Sequence, residues 1–288
     1  MAGILDKKVG EAFGNCYINS PKGTEVKDLL LSAVRVGLEL EVEGLPDLGH
    51  SPPDGWNIVT DGSLRNMGRE FVLNGPHSGE TLELAIKNLT DYFKYVGGLE
   101  KNSIKFNWRT SLHVHLDQGP LRLKDVGASI ITYCIFEDLL LDYCDISRRE
   151  NMFCIPLHKA GDDHVQALAD FIHTGTPAFG EDQKYYALHV GALKKYGTLE
   201  YRMHHGTDKY SDIVKWINIL FELRTGARKL SNEGTLGDLP SLISSHGLFF
   251  TFKRVFPKTF KLLKGDKTID QVESSMLKGI RFAQQLIY

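Results

Sequence analysis

At 288 residues, 42% of them hydrophobic and 24% charged, the chain has an ordinary globular composition and enough length for one large core. A formal charge of −2 excludes a bulk electrostatic draw to nucleic acid or to an anionic membrane. No run approaches the roughly 20 apolar residues of a membrane span.

The opening Met1-Ala2-Gly3-Ile4-Leu5-Asp6 lacks the basic-then-apolar pattern of a secretory signal, so a cytoplasmic location is expected. Four cysteines, Cys16, Cys134, Cys144 and Cys154, form no C-x-x-C pair and read as buried thiols in a reducing compartment. Residues 1–31 are turn-rich and weakly periodic, an N-terminal lead-in to a single domain over 32–288. From Ala33 the pattern alternates strictly. Val34, Val36, Leu38, Leu40 and Val42 share one face, and Arg35, Gly37, Glu39, Glu41 and Glu43 share the other, which predicts a half-buried strand. A Pro/Gly/Asp-rich loop follows over Gly44–Gly55, then short strands at Trp56–Thr60 and Arg69–Leu73 around the turn Asp61-Gly62-Ser63.

Leu82, Ala85, Ile86, Leu89, Phe93 and Val96 fall at helical spacing, with Ser78 as N-cap and Gly97-Gly98 as the stop. Ile104–Leu116 returns to strand character, and Leu123–Tyr143 is apolar nearly all round, the mark of a deeply buried helix. Tyr185–Val190 and Thr198–His204 predict a strand pair. The remainder reads as helical, with one stripe at Ile213, Trp216, Ile217, Leu220 and Phe221. Another stripe, at Ile269, Val272, Met276, Ile280 and Ala283, opens on a capping box of Thr268 and Gln271. Strands interspersed with helices, without a βαβ rhythm, predict an α+β fold: an antiparallel sheet with helices packed on one face.

Three of these strands place ionisable residues two apart, hence on one face at roughly 6–7 Å. They carry Glu39-Leu40-Glu41, His113-Val114-His115, and Glu200-Tyr201-Arg202 extended by His204; Asp61 and Glu70 add carboxylates between them. Carboxylates are the preferred ligands of Mg²⁺ or Mn²⁺, imidazole suits a Mn²⁺ or mixed site, and an arginine fork suits nucleotide phosphates. Each pair alone also fits a solvated strand face or a cross-strand ion pair. If the strands are neighbours, one sheet face becomes a metal–phosphate site.

The ordered set Gly37-Leu38-Glu39-Leu40-Glu41, Trp56 with Asp61-Gly62-Ser63 and Glu70, Leu112-His113-Val114-His115, Ser147-Arg148-Arg149 and Thr198-Leu199-Glu200-Tyr201-Arg202 resembles the amidoligase family. These are relatives of glutamine synthetase and of glutamate–cysteine ligase, frequently carried by phages, bacteria and fungi. The resemblance covers about residues 33–220. It implies a curved antiparallel sheet, as in the glutamine-synthetase-like catalytic domain, whose concave face holds ATP and two or three Mg²⁺ or Mn²⁺ ions. It further implies Glu39, Glu41, Glu70 and Glu200 as metal ligands and His113 or His115 near the nucleotide phosphates. Arg202 and Arg148 take catalytic roles, and Lys184 and Arg149 are further phosphate contacts. The implied reaction joins a carboxylate substrate to an amine donor through an acyl phosphate.

No G-x-x-x-x-G-K-[ST] segment occurs, so the nucleotide site is not a P-loop. The competing readings are a Zn²⁺ hydrolase built on His113 and His115, a guanidino kinase on the same fold, and a non-catalytic binding protein. Finally, residues 249–267 interleave Lys253, Arg254, Lys258, Lys261, Lys264 and Lys267 with Phe250, Phe252, Phe256 and Phe260. That composition suits an anionic polymer, or else a solvated basic face over a core edge.

Overall fold

The computed structural model describes residues 3–14, 34–45, 51–99, 104–176 and 179–288. Cys16, Ala33 and most of the lead-in lie outside them. Among the described residues the fold is α+β, an open six-stranded antiparallel sheet with helices around it. The strands are β1 (Val36–Val42), β2 (Trp56–Val59), β3 (Arg69–Leu73), β4 (Ser111–Asp117), β5 (Leu188–His189) and β6 (Thr198–His205), in sheet order β2-β3-β1-β4-β6-β5. The helices are α1 (Val9–Phe13), α2 (Gly79–Leu99), α3 (Leu123–Tyr143), α4 (Asp162–Thr174), α5 (Ala192–Tyr196), α6 (Tyr210–Leu230), α7 (Leu239–Ser245), α8 (Leu248–Val255), α9 (Phe260–Lys264) and α10 (Ile269–Gln285). The chain forms two compact units. One comprises Met1–Cys16, Gln118–Leu199 and Ile219–Tyr288, and the other Tyr17–Asp117 and Glu200–Asn218.

In the second unit, β1 is central and pairs antiparallel with β3 and β4. Its apolar face is fully buried at Val36, Leu38, Leu40 and Val42. Phe71 of β3 lies opposite Leu40 and meets Phe93 of α2 edge-on at 5.0 Å, so α2 covers this apolar face. The Trp56 indole N–H donates to the Ala85 carbonyl of α2 at 2.8 Å, which closes the corner. On the opposite face Glu41 and Glu43 are buried as well, more cover than a half-buried strand predicts, while Glu39 is partly exposed.

The first unit is helical around α3. Its buried residues include Asp125 and Glu137, and each is satisfied. Asp125 accepts from Arg122 and Ser231, while Glu137 accepts the Leu157 and His158 backbone N–H groups and bonds the His158 ring. Helix α10 crosses α3 so closely that a Cβ at Gly279 would lie 2.5 Å from the Ile135 Cα. Residues of the N-terminal stretch join this unit: the Val9 N–H donates to the Leu121 carbonyl and the Leu123 N–H to the Lys7 carbonyl. Cys134, Cys144 and Cys154 are buried, as the sequence suggests, and burial pushes the Cys134 and Cys144 thiols well up from their ordinary range.

Three predicted elements differ in extent from the structure. Helix α2 runs through Gly97-Gly98, since glycine in a last turn costs only about 1 kcal/mol each against alanine. The strand predicted from Ile104 begins at Ser111, because Asn107–Thr110 is a turn closed by the Thr110 hydroxyl. Tyr185–Val190 contains only the two-residue β5, preceded by a 3-10 helix at Glu181–Tyr185. The aromatics of the basic segment are divided. Phe252 and Phe256 are core residues against Phe136, so they are closed to any polymer, while Phe250 is 63% exposed.

Candidate metal–phosphate site

Register builds the site. Across the β1–β3 ladder Glu41 stands directly opposite Glu70, and across β1–β4 Glu39 stands opposite His113 and Gly37 opposite His115. Directly opposed residues of an antiparallel pair hold their Cβ atoms about 4.5–5.5 Å apart, so these side chains share one small volume. Gly37 makes room for the His115 ring: a Cβ there would sit 3.2 Å from the His115 Cβ. Beyond β4, strand β6 brings Glu200 and Arg202 to the same face.

The contacts confirm the convergence. His113 Nδ1 lies 3.0 Å from Glu39 and 3.6 Å from Glu200, and His115 Nε2 lies 3.4 Å from Glu39 and 3.9 Å from Glu200. Arg202 pairs with Glu200 and places Nη1 3.3 Å from His113 Nδ1. Ser111 stands two residues before His113 on the same face. Its N–H donates to Glu41 Oε2 at 2.8 Å, and its Oγ lies 2.5 Å from that oxygen and 2.6 Å from His113 Nε2.

Three groups of side chains each bring potential ligand atoms within 4.8 Å of one another: Glu39, Glu70 and His113; Glu39, His115 and Glu200; Glu41, Asp61 and Glu70. Asp61 is carried by the turn after β2, where its Oδ1 accepts the Ser63 N–H at 2.6 Å. That turn is strapped to the sheet. Glu43 accepts the Arg65 N–H and the Asn107 side-chain amide, and the Arg109 guanidinium donates to the Ser63 carbonyl. Two consecutive residues of the same loop, Asn66 and Met67, hold left-handed φ values of 49° and 58°. Such strain persists only where the surroundings over-determine it.

The electrostatics show carboxylates crowded beyond what the protein's own cations neutralise. Burial pushes the Glu70 carboxyl up to about 8, reinforced by the charges of Glu39, Glu41 and Asp61. Burial also opposes ionisation of Glu39, but hydrogen bonds and charge from His113 and His115 hold it well below the usual carboxylate range. His115 is raised: Glu200 and Glu39 outweigh the opposing effects of burial and of Arg202. Arg202 is held more firmly protonated than an ordinary guanidinium, because Glu200, Glu39 and Glu41 outweigh the penalty of its burial.

Of the residues singled out in the sequence, Glu39, Glu41, Glu70, His113, His115, Glu200 and Arg202 therefore meet on one sheet face. Arg148, Arg149 and Lys184 belong to the other compact unit. There Arg148 is fully buried in the turn Ile146–Arg148, and its carbonyl faces the Cys154 thiol at 3.3 Å. Arg149 pairs with Asp142 and donates to the Asp138 carbonyl, and Lys184 is exposed with its ammonium 5.3 Å from the centre of the Tyr185 ring. In the sequence Asp61 stands only as one more carboxylate on an Asp-Gly turn, and Ser111 is not among the expected site residues. The signal for Ser111 was the extension of His113-Val114-His115 backwards at period two.

A family model described as "putative amidoligase enzyme" matches residues 84–223, a segment containing His113, His115, Arg148, Arg149, Lys184, Glu200 and Arg202. Over that segment the chain resembles an amidoligase. The match agrees with the family read from the sequence motifs, and it points to a ligase-type enzyme. A comparison with curated proteins finds no match.

Proposed function

We propose that this chain, with residues 32–288 acting as one catalytic domain, is an ATP- and Mg²⁺- or Mn²⁺-dependent ligase. It would join a carboxylate to an amine through an acyl phosphate. The observation that carries this reading is the convergence of five carboxylates and two imidazoles with Arg202 on one sheet face.

The donor set fits hard divalent cations, since oxygens predominate and imidazole is the only nitrogen ligand. A Zn²⁺ hydrolase needs a nitrogen- or sulfur-rich set, which this is not. Glu70 at about 8 is a second fit: a carboxyl that the protein itself leaves unneutralised is one a cation would ionise. Glu39, Glu70 and His113, Glu39, His115 and Glu200, and Glu41, Asp61 and Glu70 would hold up to three ions. When bound, these would neutralise nucleotide phosphates and polarise the transferred phosphoryl group.

The chain's own residues supply the rest. Glu200 holds Arg202 in place, and the planar Arg202 fork, always protonated, stabilises charge on the phosphate and on the acyl phosphate. Buried His113 and His115 orient against the phosphates. The family resemblance further supports a catalytic role for Arg148 and phosphate contacts for Lys184 and Arg149. The exposure of Lys253, Lys258, Lys261 and Phe250 supports contact of the 249–267 segment with an anionic polymer; salt-dependent binding to single-stranded DNA tests that contact.

The deciding experiment is ADP release with Mg-ATP against pooled carboxylates and amines. The reading expects ADP only when both a carboxylate and an amine pool are present, and none from Glu39→Gln. ADP formed from a single pool that becomes phosphorylated would identify a kinase instead, and no ADP from any pool would sink the ligase reading.

A further inference from the structure

The helical unit holds a cleft of about 550 Å³ at the amino end of α4. We propose that this cleft binds a small primary carboxamide that also carries an ammonium group, such as an amino-acid amide. Gly161, Asp162 and Asp163 form its exposed rim, and buried His164 lines it with half-buried Gln183 and Tyr186. His164 is only 2% exposed, yet neither of its ring nitrogens has a hydrogen-bond partner among the described residues. The same holds for the buried Gln183 Oε1. Such orphans are rare, because nearly all buried polar atoms are bonded. The His164 ring stacks flat on Tyr186, with centroids 3.8 Å and planes 11° apart, so its edge is held in place.

The ligand class follows from what these groups lack. Burial pushes the His164 imidazole down to about 4, although Gln183 is near enough to oppose the shift. At neutral pH the ring is therefore uncharged and offers one donor and one acceptor nitrogen. Gln183 Oε1 is a second acceptor. Gly161 caps α4 without a side chain, so the N–H groups of Asp162 and Asp163 have no acceptor among the described residues. The cleft thus wants a group that gives two hydrogens and also accepts. A primary carboxamide does both without a charge to desolvate against His164 and Gln183. A carboxylate has no hydrogen for Gln183, an ammonium cannot accept from the helix N–H groups, and a hydroxyl has one hydrogen for two acceptors. The charged side chains on the rim, Asp162 and Asp163, are both acidic, which repels an anion and favours an ammonium at the outer end of the ligand.

Titration of the whole protein with glycinamide, followed by ¹H–¹⁵N spectra, tests this. Saturable shifts are expected at the Asp162 and Asp163 amides and at the His164 ring. Acetamide, which lacks the ammonium, should bind more weakly, and glycine and acetate should not bind. His164→Phe keeps the stacked ring and loses both nitrogens, so glycinamide should bind about 10-fold more weakly at an unchanged melting temperature. Gln183→Leu should show the same loss and serves if His164→Phe does not fold. Shifts that never saturate, acetate or glycine binding as well as glycinamide, or acetamide matching it would each overturn the proposal. So would undiminished binding in either folded variant, which would leave His164 and Gln183 as parts of the packing alone. Should neither variant fold, the comparison of the four probes on the wild type decides.

Discussion

Glu41 and Glu70 face each other across a ladder, and like charges so placed destabilise a sheet. The protein meets that cost by keeping a proton on Glu70, whose carboxyl is raised from 4.5 to about 8. Between those values the native state binds a proton that the unfolded chain has released, so through this group stability falls as pH rises from about 4.5 to about 8. Glu70→Gln should flatten that slope and make the metal-free protein more stable than wild type at alkaline pH. Urea midpoints for both proteins on either side of the window measure it, and a variant less stable than wild type above it would contradict the argument. Arg202 is the complementary case, a cation among carboxylates. Arg202→Lys keeps the charge and loses the bidentate fork, so turnover should fall about 10²–10³-fold, as for a transition-state contact of about 2.7–4 kcal/mol, with the fold intact. Melting temperature and ADP formation on the same preparation decide. A destabilised variant with wild-type turnover per folded molecule would make Arg202 only the structural partner of Glu200.

Elements explain how much of this the sequence could reveal. Alternation along β1 was readable because period two is a property of one strand, and it put Glu39 and Glu41 on one face without any knowledge of neighbours. That this face is buried was not readable, since its cover comes from residues distant in sequence. Asp61 could not be ranked for a related reason. It sits on a turn whose position is set by Glu43, Asn107 and Arg109, so nothing local tells its carboxylate from that of any Asp-Gly turn. Helix α3 was bounded correctly because a segment apolar all round admits little else, and the Thr268–Gln271 capping box placed the start of α10. Their crossing was hidden, for Gly279 looks like any glycine in a helix. In the structure an added Cβ would lie 2.4 Å from the Cys134 carbonyl oxygen, backbone that cannot swing aside. Gly279→Ala should therefore destabilise by about 3 kcal/mol, the upper part of the overpacking range, despite the better helix propensity of alanine. Denaturant unfolding measures this, and a neutral or stabilised variant would show that the two helices can part at little cost.

For the whole molecule, a net charge of −2 gives no long-range attraction for a polyanion such as ATP. Nucleotide affinity must then come from short-range contacts with bound cations and with Arg202, in a site whose own carboxylates would repel the phosphates without metal. ATP and cation should accordingly bind as one ligand. Mg-ATP at 100 times its dissociation constant would stabilise the native state by about 2.7 kcal/mol. For a chain of this size that corresponds to a rise in melting temperature of about 5 °C. ATP with chelator should give almost none of it, and Zn²⁺ alone should not reproduce it. Glu39 contributes to two of the three ligand groups, so Glu39→Gln should lose most of the response while the apolar face of β1, which it does not touch, keeps the fold. A thermal-shift titration separates the outcomes. A shift with ATP alone would mean that the phosphates are held by protein cations rather than by metal. No shift with Mg-ATP would remove the nucleotide from the proposed reaction and leave the carboxylate cluster to be explained by the cations alone.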